Sequence, residues 1–232
     1  MPGQDILVDE HTPEFTAYLA LPASGSGPGL IVLQEIFGVN PVMRGICDQF
    51  AAAGFVTLCP DLFWRIKPGI QISDKTDDEL QQAFKLYSEY DVEAGMADIQ
   101  RALETLRDRP ECTGRAGAIG FCLGGYLAYL TACRTSSQAS VGYYGVGIES
   151  ALSEADDLSH PLMLHLAERD QFVPPAVQSA LHKAFDHRDD ITVHDYPGKD
   201  HAFARTGGRH FDTDAAALAN SRTITFLREH LS

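Results

Sequence analysis

A chain of 232 residues, 44% hydrophobic and 22% charged, is long enough for one sizeable core, and one domain over residues 1–232 is expected. A formal net charge of -14 without a clustered Lys/Arg surface excludes nucleic acid as a partner. No stretch approaches the roughly eighteen uninterrupted apolar residues of a membrane span, and the opening MPGQDILVDEHTPEF lacks a basic region before an apolar one, so a soluble, cytoplasmic protein is expected.

In chain order, Phe15-Thr16-Ala17-Tyr18-Leu19-Ala20-Leu21 alternates at period two and predicts an antiparallel edge strand. Gly29 to Gln34 and Phe55 to Cys59 are short and almost wholly apolar, as strands covered on both faces are. Between them Pro41 to Ala53 predicts a helix closed by Gly54. The stretch Asp61 to Thr76 is irregular, long for a compact domain, and a candidate pocket wall or lid. Helices follow over Asp77 to Tyr90 and Asp91 to Arg107, then a strand ending at Ile119 and a helix over Cys122 to Cys133. Ser140 to Tyr144, Pro161 to Leu166 and Ile191 to Tyr196 read as strands, Pro174 to Phe185 and Thr213 to His230 as helices. This alternation predicts an α/β fold with a mostly parallel central sheet, helices on both faces and no large cap domain.

In such a sheet, ligands bind beyond the carboxyl ends of the strands. There stands GFCLGG, Gly120 to Gly125, with Cys122 where a serine would complete a Gly-x-Ser-x-Gly nucleophile elbow. Asp170 follows the strand of PLMLHLAER, and His201 follows that of ITVHDYPGKD. Nucleophile, acid and then histidine is the chain order of the α/β-hydrolase triad. A helix starting after Cys122 aims its positive end at the sulfur, His201 takes the proton, and Asp170 fixes the imidazole. Bulk at Gly120 or Gly124 would crowd that turn. Of the other histidines, only His210 also sits in a loop of this region, and His201 is favoured. The odd count of five cysteines fits a reducing compartment, with Cys47, Cys59, Cys112 and Cys133 read as packed or surface thiols. No Cys/His cluster has metal-ligand spacing, and no cofactor is expected. The amides of Leu123 and Ile36 are the expected oxyanion-hole donors. Glu35, in QEIFGVN, is either a carboxylate acting on the thiol or a buried structural acid paired with a base such as Arg205.

QEIFGVN, CPDLF, KLYSEYDVEAG, GFCLGG, VGYYGVG, ERDQFVP and GKDHAFART resemble successive blocks of the dienelactone hydrolase (carboxymethylenebutenolidase) family over nearly the whole chain. The resemblance implies a thiol α/β-hydrolase, without cofactor, that opens dienelactone to maleylacetate through an acyl-enzyme. It also implies that Cys122 is the nucleophile, His201 base and acid, Asp170 the orienting acid, Glu35 the carboxylate controlling the thiol, and Arg205 the group that meets the substrate carboxylate. Well-studied members carry an arginine, a tyrosine and a tryptophan where this chain has Leu80, Phe84 and Tyr87, and a serine where it has Ala202. Leucine cannot replace the bidentate pair of an arginine with a carboxylate, and Arg65 and Lys67 are read as solvated surface cations. A broad pocket of Leu80, Phe84, Tyr87 and Phe37 would favour a thiol carboxylesterase or lactonase acting on a larger or less charged ester. A non-enzymatic binding or redox-sensing relative would not need His201 and Asp170. A monomer acting on a small-molecule ester or lactone is expected, with neither nucleic acid nor membrane as partner.

Overall fold

The computed structural model describes residues 3–231; Met1, Pro2 and Ser232, the outermost residues of the expected domain, lie outside the described residues. The chain divides into two compact units, one through Gly117 and the other from Ala118.

In the first unit, β1 (Gln4–Asp9), β2 (Thr12–Ala20), β3 (Gly27–Leu33) and β4 (Val56–Pro60) run in the order β1-β2-β4-β3. β2 pairs antiparallel with both neighbours, Gln4 opposite Leu19 and Ala17 opposite Pro60, whereas β3 and β4 are parallel. The expected antiparallel strand around Phe15 is present, but β1 covers its outer side, so it is not the edge. β1 was not legible because its residues are mostly exposed and carry no clean apolar alternation. α1 (Pro41–Ala52) and α3 (Val92–Arg107) pack on these strands. The Asn40 side chain caps α1 by accepting from the Val42 and Met43 amides, and Asp91 caps α3 through the Ala94 amide. α2 (Asp77–Glu89) is capped by Thr76, whose hydroxyl accepts from the Glu79 amide.

The irregular stretch after β4 is held at many points. Asp61 accepts from the Phe63 and Gly69 amides, Gln34 Oε1 from Leu62, and Asn40 Nδ2 donates to Ile72 O. A Cβ on Gly38, whose φ is +75°, would lie 1.9 Å from Ile70 O. Buried Asp98 takes both the Trp64 indole, at 2.9 Å, and a two-bonded Arg65 at 2.9 and 2.8 Å. The segment is therefore a fixed element rather than a hinged lid.

β5 (Cys112–Phe121) starts in the first unit and ends in the second. There its last residues pair parallel with β6 (Ser140–Tyr143), which continues in parallel to β7 (Leu162–Ala167) and β8 (Ile191–Tyr196). α4 (Leu123–Arg134) packs on β6, α5 (Pro175–Phe185) on β8 and α6 (Thr213–Leu231) on β7. A kinked 3-10 segment, Ile148–Asp157, packs on α4 and α5. Its ten residues are kinked at Ala151, so no run in IESALSEADD is long enough to be read as a helix from periodicity.

Candidate active site

Cys122 sits between the end of β5 and the start of α4 with φ 56° and ψ -114°, a conformation that costs a non-glycine residue about 1–3 kcal/mol. Surrounding bonds hold it there. Its amide donates to Tyr143 O at 3.1 Å, and its carbonyl accepts from Gly125 at 2.9 Å and Tyr126 at 3.3 Å. The turn closes only because Gly120 and Gly125 lack side chains. A Cβ on Gly120 would lie 1.8 Å from Gly124 O, and one on Gly125 2.6 Å from Tyr143 O. The thiol is thereby fixed at the amino end of α4, whose partial positive charge favours an anion. Leu123 is the first helical residue, and first-turn amides of a helix have no partner within it.

His201 lies in the turns after β8 and Asp170 after β7. His201 Nδ1 meets Asp170 Oδ2 at 2.7 Å, with both side chains buried. Asp170 Oδ1 accepts from the Phe172 and Val173 amides at 2.8 and 3.3 Å. One carboxylate thus both turns the loop and orients the imidazole. The two loops are tied to each other: the Arg169 amide donates to Lys199 O at 2.8 Å and the Gly198 amide to Glu168 Oε2 at 2.6 Å. Burial pulls the His201 pKa down, but the charge of Cys122, hydrogen bonds to Asp170 and Cys122, and the Asp170 charge outweigh it and raise the group to about 10. The three residues expected from chain order are brought together in the second unit.

Tyr144 and Phe172 were not expected there. Their rings stand edge-on to His201 at centroid distances of 5.1 and 4.9 Å. Tyr144 has a positive φ of 39°, and Phe172 covers the ring from the outside, 40% exposed. The paired tyrosines at the carboxyl end of a predicted strand were the available signal. Ala202 also takes a positive φ, 63°. Arg205 follows on the same turn, half-buried.

The remaining candidates belong to the first unit. Glu35, Ile36 and Phe37 are buried just beyond β3 at 2, 7 and 3% exposure. Leu80, Phe84 and Tyr87 lie at helical spacing along one stripe of α2, with Phe84 and Tyr87 exposed and the core taking Ala83 and Leu86 instead. Arg65 is exposed, as is Lys67 and as expected of both, but its guanidinium is also bound by Asp98 and lies over the Trp64 ring at 4.2 Å. Among the other thiols, Cys59 is pushed up by its hydrogen bond with Cys47 and by burial, and burial pushes Cys133 up to about 11, so both are inert thiols. A groove of about 520 Å³ between β7, β8 and α6 holds His194, Arg222 and Glu229 but no member of the triad. Among the described residues no helix is long and apolar enough to cross a membrane.

Residues 15–231 match the dienelactone hydrolase family. A relative from Azospirillum brasilense is 46% identical over 228 residues, 94% of each chain. Carboxymethylenebutenolidase 1 of Cupriavidus pinatubonensis is 38% identical over 92% of this chain and 91% of its own. The carboxymethylenebutenolidase of Pseudomonas putida is 37% identical over 94% and 92%. Solved structures of the same fold include a Klebsiella pneumoniae protein, TM-score 0.81, 24% identity and 93% of each chain. A dienelactone hydrolase-like promiscuous phosphotriesterase from metagenomic libraries aligns over all of both chains with TM-score 0.80 and 21% identity. The chain belongs to the dienelactone hydrolase family and is a hydrolase acting on esters or lactones.

Proposed function

We propose that this enzyme opens an enol-lactone, dienelactone to maleylacetate, through a Cys122, His201, Asp170 triad and an acyl-thioester intermediate. The observation that carries this is the raised His201, held between the Asp170 carboxylate and the Cys122 sulfur. A thiolate beside an imidazolium is the reactive form of such a pair. The sulfur attacks the carbonyl carbon; the tetrahedral intermediate collapses to a thioester as the ring C–O bond breaks, and His201 protonates the departing oxygen.

The causes of the histidine's shift then explain the second half-reaction. The largest upward cause is the charge of Cys122, and acylation removes that charge. Burial, which favours the neutral ring, then acts against Asp170 alone, so His201 becomes a base when a water must be deprotonated. Water adds to the thioester, the C–S bond breaks, and thiolate and imidazolium are restored with release of the acid. The roles of Glu35 as the carboxylate controlling the thiol, Ile36 and Leu123 as oxyanion donors and Arg205 as the carboxylate anchor are part of this proposal. They are supported by the family membership and, for Leu123, by its place at the start of α4.

A second reading has its own support. Leu80, Phe84 and Tyr87 present an apolar stripe, two of them largely exposed, and Arg65 is engaged by Asp98. These favour a larger or less charged ester. Steady-state hydrolysis of cis- and trans-dienelactone beside p-nitrophenyl acetate, by the wild type and Cys122→Ala, separates the two. Lactones preferred by orders of magnitude in kcat/KM, with a dead variant, bear out the first; preference for the simple ester replaces it with a thiol carboxylesterase.

A further inference from the structure

Gln178 is the fourth residue of α5 and touches none of the triad side chains in the bonds that hold it. Its Nε2 reaches three carbonyl oxygens, those of Val173 at 2.7 Å, Ala167 at 3.1 Å and Glu168 at 3.2 Å. These oxygens bracket Asp170, two where β7 ends and one where the chain turns into α5. Val173 links the two ends of the device, because its amide donates to Asp170 Oδ1 while its carbonyl accepts from Gln178. On the other flank, the Arg169 amide and Glu168 Oε2 tie the same loop to residues 198 and 199, just ahead of His201. We propose that Gln178 is a positioning residue for the triad acid, closing the 167–173 loop so that Asp170 Oδ2 meets His201 Nδ1. This rests on the triad reading above.

The chemistry of the side chain limits what replaces it. Three acceptors share the two hydrogens of a neutral primary amide, which neither a carboxylate nor a thioether supplies. A glutamate of the same shape is acceptor-only when ionised and repels all three carbonyls; a methionine fills the space and donates nothing. A misplacement of about 1 Å in a catalytic group is worth up to roughly a hundredfold in rate. Because Gln178 acts through Asp170, its loss falls on kcat rather than on KM.

The test compares Gln178→Glu, Gln178→Met and Asp170→Asn with the wild type by steady-state hydrolysis of p-nitrophenyl acetate and by 15N NMR titration of His201. The expected result is a kcat lowered roughly 10–100-fold in both Gln178 variants, KM within about twofold, and a His201 titration moved downward. If either variant fails to fold, the other carries the test. If both keep wild-type kcat and titration while Asp170→Asn loses activity, the proposal alone is overturned. A lowered Tm with unmoved titration marks a merely structural role and overturns it equally. If Asp170→Asn leaves both readouts unchanged, the triad reading fails and takes the Gln178 proposal with it. Should the ester prove a poor substrate, the titration decides by itself.

Discussion

His201 carries the densest physical information in the chain. Burial acts to keep it neutral, yet it is raised to about 10 by the charge of Cys122 and by hydrogen bonds to Asp170 and Cys122. In Cys122→Ala the largest upward cause is gone, so its titration moves well below 10; a 15N titration still centred near 10 would show that Asp170 alone holds the proton. In the wild type the imidazolium loses its proton as pH rises through about 10, so kcat/KM is expected to fall on the alkaline side near there. A pH–rate profile checks this, and a rise through about 6.5 to a plateau that persists past 10 would mean that the ring works from the neutral form at rest. Gly120 tests the turn itself. With Gly124 O at 1.8 Å from any added Cβ, Gly120→Ala is expected to lose on the order of 3 kcal/mol in urea unfolding. A loss below about 1 kcal/mol would mean the elbow relaxes.

Between elements, Asp98 of α3 anchors the segment after β4 through Trp64 and Arg65. Asp98→Ala leaves a part-buried indole N–H without its acceptor, while Arg65, about half exposed, turns to solvent. The expected cost is about 1–3 kcal/mol, read as a shifted urea midpoint, with faster tryptic cleavage after Arg65. An unchanged digestion pattern would argue that the Asp61 and Asn40 bonds hold the segment unaided. The limits of sequence reading show at this scale. α1, α2, α3 and β8 were legible almost to the residue because caps and periodicity coincide at their ends. β1 and the 3-10 segment were not, since one is a mostly exposed strand and the other is short and kinked at Ala151. Chain order and the glycine-framed cysteine pointed to Cys122, Asp170 and His201, and the paired tyrosines offered a signal for Tyr144, whereas Phe172 was hidden because ring-to-ring contacts leave no spacing in a sequence. The Asp98 partner of Arg65 was hidden for a related reason: it lies 33 residues away.

For the whole molecule, the titration of buried histidines sets how stability varies with acid. Burial, then the charges of His194 and Arg222, hold His165 neutral; burial and Arg222 hold His194 neutral against an opposing Asp195. The unfolded chain protonates both below about 6.5. Their contribution is therefore fully present above that pH and is lost as pH falls toward their folded values. His201, whose pKa is raised, contributes in the opposite sense over the same range, so the test is a difference: from pH 7.5 to 5.5 the urea midpoint of His194→Gln should shift less toward lower urea than that of the wild type, and an equal shift in both would remove His194 from this account. The central claim is the covalent role of Cys122. Its most direct test is rapid acid quench of the wild type with p-nitrophenyl acetate in the first turnover, followed by mass measurement and peptide mapping. An added acetyl group on the peptide containing Cys122, absent in Cys122→Ala, is the predicted result. Rapid ester hydrolysis with no acyl group on that peptide at any quench time, and with activity surviving in Cys122→Ala, would contradict it.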